Sequence, residues 1–117
     1  MPRAALVVLA GTDTSADAGR VVNAMTIARE FVAAGDEVQV VFDGAGTQWI
    51  PILEREDYEY HDRYTTIRDA VAVCEFCARA YGVSDAVDAA GVDVLAGNDG
   101  HPSVRSLVAD DYEIMTF

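Results

Sequence analysis

Lysine is missing from this chain. All eight basic residues are arginine, facing thirteen aspartates and seven glutamates, for a formal net charge of −12 over 117 residues. So acidic a surface repels nucleic acid phosphates and anionic lipid headgroups, and neither is expected as a partner. A lysine-free acidic surface suits a high-salt cytosol, where screening over a few ångströms removes its self-repulsion, so a halophilic origin is expected. Long apolar runs are lacking too. No stretch approaches the roughly 18 to 20 consecutive apolar residues that span a bilayer. The opening Met-Pro-Arg carries one charge, and the apolar run after it, Ala4 to Ala10, ends in Gly-Thr-Asp instead of a small-residue cleavage site. It reads as a first strand and not a signal peptide, which points to the cytoplasm. Glycines 11, 44 and 46 form neither a Gly-x-Gly-x-x-Gly nor a Walker pattern, so no nucleotide cofactor is expected. No Ser-His-Asp order stands out.

Cysteine is scarce: Cys74 and Cys77 are the only two, three residues apart in the segment Val71-Ala-Val-Cys-Glu-Phe-Cys-Ala-Arg-Ala-Tyr-Gly-Val83. They are also the residues with the greatest chemical capacity, since a thiolate is both a nucleophile and a soft metal ligand. A structural disulfide is the least expected use in a reducing compartment. Two readings of the residues stay open. Both sulfurs can be small hydrophobes packed in the core. Alternatively, a helix beginning near Cys74 would lower that thiol's pKa through its exposed N–H groups and dipole, as disulfide exchange, persulfide transfer and thiol sensing require. With His61 and His101, the only histidines, the cysteines would make a Cys2His2 zinc set. The spacings, thirteen before Cys74 and twenty-four after Cys77, match no common zinc module, so no metal site is expected. Beside Pro102, His101 reads as a helix-cap residue, and His61 as a solvated loop residue. Asp13, Asp17 and Asp43 follow strands, where catalytic carboxylates often lie, but in so acidic a chain they read as caps and surface charge.

A hydrophobic fraction of 51% in a chain of this length fits one packed domain, residues 1–117. The continuous apolar run 4–10 predicts a strand covered on both faces. Ser15 or Asp17 would cap a helix over 18–34 that places Met25, Ala28 and Val32 at helical spacing and closes at Gly35. Glu37–Phe42 predicts a second, parallel strand through a right-handed βαβ crossover. Thr47 would cap a short helix towards Glu56, with Pro51 in or near its first turn. Residues 57–64 read as a charged, aromatic surface loop. Over 65–81, Ile67, Val71, Cys74 and Ala78 favour helix, with a short strand at 71–73 feeding a helix near Cys74 as the alternative. Ser84 would cap a helix to Ala90. Val92–Leu95 predicts a brief strand, Gly97-Asn-Asp-Gly100 a turn, 101–109 a helix and 112–117 a last strand. The sum is an α/β domain with a mostly parallel sheet of four or five strands, whose sites gather at the carboxyl ends of strands.

The cysteine segment resembles the DsrE/DsrF-like family of sulfur-relay proteins, which includes TusD-like and YchN-like members. Cys74 lies eight positions before Gly82-Val83, as the family's cysteine lies before the pair that ends its helix, and Cys77 matches the second cysteine of YchN-like members. The resemblance extends to Ala-Ala-Gly35, Phe42-Asp-Gly44 and the Gly-Val-Asp-Val turn at 91–94. It implies a flavodoxin-like three-layer α/β sandwich assembled as a homo-oligomer, a trimer or hexamer. It also implies a small sulfur carrier or sulfurtransferase-like protein with the persulfide on Cys74 and sulfur donor and acceptor proteins as partners. Family members usually have a clear strand just before this cysteine, whereas 65–73 reads here as helix. The leading expectation is therefore a sulfur carrier in which an accessible, ionised Cys74 attacks a donor persulfide while Cys77 resolves it or shapes the pocket. The alternatives are a non-catalytic oligomeric binding module and a redox- or metal-sensing protein using the same two cysteines.

Overall fold

A computed structural model describes residues 1–117. Five strands, β1 (Arg3–Val8), β2 (Glu37–Phe42), β3 (Val71–Cys74), β4 (Asp93–Leu95) and β5 (Glu113–Thr116), form one sheet in the order β4-β3-β2-β1-β5. Every neighbouring pair is parallel. The helices are α1 (Ser15–Ala33), α2 (Trp49–Leu53), α3 (His61–Thr65), α4 (Glu75–Ala80), α5 (Ser84–Ala90) and α6 (Val104–Ala109). The expected α/β architecture with a parallel sheet is what the chain adopts. Its strand order is not the 2-1-3-4-5 of flavodoxin itself.

That order decides where the helices go. From β1 to β4 each strand is added beside the last in one direction, so right-handed crossovers put α1 to α5 on one face. The step from β4 to β5 runs back across three strands, and the same handedness carries α6 to the other face. Burial follows this division. Ala4, Leu6, Val8, Val40, Phe42, Val71 and Val73 point into the main core, where they meet Val21, Met25, Ile50, Leu53, Tyr64 and Val87. The alternate residues Ala5, Val7, Val41, Ala72 and Cys74 are also buried, but lie outside that cluster, on the face that Leu107 of α6 helps to cover.

Several local expectations are corrected. Residues 65–81 are not one helix: a 3-10 turn at Arg68–Ala70 leads into strand β3, and α4 starts only at Glu75. All four residues of β3 are buried, and Val71-Ala-Val73 pairs with Val40-Val-Phe42. An apolar run that short carries no period of its own, so the spacing of Ile67, Val71, Cys74 and Ala78 imitated a helix. The loop at 57–64 is interrupted by α3, which drives Tyr64 into the core with its hydroxyl buried and unpaired. Thr14 caps α1 by accepting from the Asp17 N–H, in place of Ser15 or Asp17. Asp43 caps the 3-10 turn Gly44–Gln48, whereas the Thr47 hydroxyl is buried and donates to the Gly44 carbonyl. Helix α5 has no side-chain cap, since Val83 and not Ser84 takes that place.

Candidate functional site

At the carboxyl edge of a parallel sheet, a crevice opens where neighbouring strands send their exits to opposite faces. Here those neighbours are β3 and β4, since β3 leaves towards α4 and β4 towards α6. Four chemically capable side chains meet at this place. Asp43, Cys74, Cys77 and His101 bring a carboxylate oxygen, two sulfurs and a ring nitrogen within 4.8 Å of one another.

Each is held by backbone structure with its own local cause. Cys74 ends β3 and is the N-cap of α4, where its Sγ accepts the Cys77 backbone N–H at 3.4 Å. Helix α4 closes at Gly82, whose φ of +72° suits glycine, and its N–H bonds to the Arg79 carbonyl while that of Val83 reaches back to Ala78. The Gly82-Val83 pair is thus a helix-ending device. It keeps α4 short, while the start of the helix at the Cys74 cap places Cys77 one turn on. Asp43 follows β2; its N–H donates to the Val8 carbonyl at 3.0 Å and its Oδ1 accepts from the Gly44 N–H at 2.8 Å. The turn that carries His101 is a two-residue reversal in which Asn98 and His101 exchange both backbone hydrogen bonds, at 2.8 and 2.9 Å. Asp99 and Gly100 between them have φ of 51° and 87°, the sign that a type I′ turn needs at both central positions. The His101 ring then rests against Phe76, with centroids 4.5 Å apart, while the Phe76 N–H donates to the Gly100 carbonyl at 2.9 Å.

The sulfurs differ. Cys74 is fully buried, and its Sγ lies 3.5 Å from His101 Nδ1 and 3.8 Å from the Gly100 carbonyl, to which its S–H can donate. Burial pushes its thiol up to about 12; the Cys77 N–H acts in the opposite sense, and the Cys77 thiol and the Asp43 carboxylate raise it further. Cys77 is half-buried, with its Sγ 3.4 Å from Asp43 Oδ1 and 4.0 Å from His101 Nδ1. An accessible, ionised Cys74 is therefore corrected. A helix does begin there, but desolvation next to a carboxylate outweighs the single backbone donor. The surroundings are polar all the same, since an imidazole and a carboxylate both reach the sulfur pair.

His61 does not join the cysteines. Its Nδ1 donates to the Leu53 carbonyl at 2.7 Å, tying α3 to the end of α2. Asp17 is the partner of Arg20 at 3.3 Å in the first turns of α1. From the sequence, Asp43 reads as a cap or surface charge and His101 as a helix-cap residue. Asp43 does cap the 3-10 turn but also faces Cys77 Sγ, whereas Ser103 and not His101 caps α6, leaving the His101 ring beside the sulfurs. The largest cleft, about 520 Å³, lies at the β1/β5 end of the sheet edge and is lined by Ala10, Gly11, Asp17, Arg20, Thr116 and Phe117, among others. It holds the Asp17–Arg20 ion pair but no thiol or imidazole.

No family model matches the chain. Over 93 residues it is 26% identical to an uncharacterized protein of Methanocaldococcus jannaschii, an alignment that covers 78% of this chain and 74% of that protein. Its fold is similar to the solved structure of a conserved protein of unknown function from Bacteroides thetaiotaomicron, with a TM-score of 0.67 at 15% identity over 97% of this chain and 94% of that one. The chain thus shares its α/β fold with a bacterial protein and a stretch of moderate sequence similarity with an archaeal one.

Proposed function

We propose that this chain is a small sulfur-transfer protein whose Cys74–Cys77 pair takes sulfane sulfur from a donor persulfide and hands it to an acceptor thiol. The observation that carries the reading is the convergence of two thiols and an imidazole within 4.8 Å at the carboxyl edge of the sheet. The division of labour follows from burial. Cys77 is the half-buried sulfur and meets the donor; Cys74 is enclosed and holds what Cys77 receives. His101, whose Nδ1 lies 3.5 Å from Cys74 Sγ and 4.0 Å from Cys77 Sγ, takes the thiol proton.

In the first step the Cys77 thiolate attacks the terminal sulfur of R–S–SH. The Cys77–S–SH bond forms, the S–S bond of the donor breaks, and R–S⁻ leaves with the electron pair. Attack by Cys74, its proton passing to His101 Nδ1 3.5 Å away, on that terminal sulfur moves it inward as Cys74–S–SH and frees Cys77 as the thiolate. An acceptor thiolate removes it by the reverse sequence. Attack by Cys74 on Cys77 Sγ would instead expel HS⁻ and leave a Cys74–Cys77 disulfide, a side reaction that ends transfer. Sulfur donor and acceptor proteins are the partners this chemistry needs, and a homo-oligomer is the assembly implied by the resemblance to sulfur-relay proteins.

Mass spectrometry of the intact chain after incubation with a low-molecular-weight persulfide gives the check. We expect a gain of one sulfur, about 32 Da. Cys77→Ala should abolish it, because entry is lost, while Cys74→Ser should leave a short-lived adduct on Cys77. No adduct on the wild-type chain, or one that survives in Cys77→Ala, would sink the assignment.

A further inference from the structure

The same four side chains match the ligand set of a closed tetrahedral metal centre. With Zn–S near 2.3 Å and Zn–N or Zn–O near 2.0–2.2 Å, a tetrahedral ion holds its ligand atoms roughly 3.4 to 3.8 Å from one another. The separations are 3.5 Å from Cys74 Sγ to His101 Nδ1, 4.0 Å from Cys77 Sγ to His101 Nδ1 and 3.4 Å from Cys77 Sγ to Asp43 Oδ1. No pair exceeds 4.8 Å, so closure on an ion requires contractions of about 1.4 Å at most. The donors come from three separate strand exits, each placed by backbone bonds of its own. Cys-x-x-Cys is a zinc-ligand spacing in its own right, and two sulfurs with one imidazole select a soft or borderline ion over magnesium or calcium.

We propose that Asp43, Cys74, Cys77 and His101 bind one Zn2+, or another divalent ion of similar softness, through one Asp oxygen, two thiolates and His101 Nδ1. Binding replaces two S–H bonds by two metal–sulfur bonds and releases two protons, while the carboxylate and the neutral imidazole enter as they are. Four protein ligands leave no open position, so the centre holds the ion and does not activate water. The assignment needs only the four side chains and stands without the sulfur-transfer reading. If both hold, they exclude each other at any moment: a loaded centre has no free thiol, and zinc is an off-switch for transfer.

Titration of the reduced, metal-free chain with Co2+ tests the site, because tetrahedral thiolate ligation produces intense visible d–d bands and sulfur-to-metal charge transfer that octahedral oxygen ligation does not. Expected are one equivalent bound, displacement by Zn2+, and retention in molar KCl, which strips ions held only by surface carboxylates. His101→Gln should weaken binding by about tenfold or more, and Cys77→Ala by about a hundredfold. Both positions are only half-buried, and circular dichroism confirms that each variant is folded. A six-coordinate spectrum, no tight equivalent, or unchanged affinity in the folded Cys77→Ala chain overturns the proposal. None of these readouts depends on persulfide transfer, so the two assignments fail separately.

Discussion

Cys74 shows how far the environment of one residue moves its chemistry. In metal-free protein its thiol is raised from 9.0 to about 12, first by burial and then by the neighbouring Cys77 thiol and Asp43 carboxylate, against the Cys77 N–H. The folded chain therefore keeps a proton that the unfolded chain loses above pH 9. The stability this contributes is complete below pH 9 and falls as pH rises from there towards 12. Relative to Cys74→Ser, wild-type unfolding free energy should drop by roughly 2 to 3 kcal/mol between pH 8 and pH 11. Urea unfolding of the two chains in the presence of a chelator measures it, and a constant difference across that range contradicts the burial argument. Glu54 illustrates the opposite sign. Its bidentate contact with Arg68, at 2.8 and 3.0 Å, holds its carboxyl below the usual range, an effect partly offset by burial. That contribution is present above the ordinary carboxylate pKa and lost on acidification.

At the scale of elements, the site is built from short pieces whose ends matter more than their middles. The turn Asn98-Asp-Gly-His101 is the clearest case, since it alone positions the imidazole. A Cβ on Gly100 would sit 3.4 Å from Phe76 Cβ with φ at +87°, a conformation that alanine resists. Gly100→Ala should cost about 1 to 2 kcal/mol in denaturant unfolding. It should also weaken Co2+ binding by shifting His101. Gly97→Ala, where the added carbon meets nothing within 4 Å, is the control and should stay within about 0.5 kcal/mol. Equal effects at both positions would show that the turn geometry is not what matters. Strand β3 teaches a related lesson. Its four residues are buried on both faces, so neither alternation nor a 3.6-residue period marks them, and only pairing with β2 settles the matter. Strands β1 and β2 were legible because each is a longer β-branched or apolar run bounded by turn residues. Helix α1 was legible because Val21, Ala24, Met25 and Ala28 recur at helical spacing and are buried, although Val32, expected on the same face, is exposed.

For the whole molecule, charge is the dominant feature. Five ion pairs are formed, four of them by side chains with at least one partner well exposed, and they leave most of the twenty carboxylates unmatched. Exposed pairs contribute little individually, so self-repulsion among the remaining carboxylates should outweigh them at low ionic strength. Raising KCl from about 0.05 M to 2 M should lift the thermal midpoint by on the order of 5 to 10 °C. A flat or falling midpoint would show that attraction among surface charges prevails and would remove the argument for a high-salt setting. The strand order is also a whole-molecule property. It brings the exits of β2, β3 and β4 together at one end of the sheet edge, apart from the β1/β5 cleft, and so decides which loops supply the reactive groups.

The sequence by itself determined the α/β class, the parallel sheet and the two sulfurs as the centre of interest, because hydrophobic runs, helix-ending glycines and thiol chemistry are local properties. Only the tertiary structure decided what surrounds those sulfurs. Asp43 lies 31 residues before Cys74 and His101 lies 24 after Cys77, and no local pattern records that three strand exits close on one point. Burial is likewise collective: Cys74 heads a helix, as the sequence allowed, yet the loop bearing His101 folds over it and denies it solvent. Proximity and desolvation belong to the folded sheet, and they set the chemistry of this site.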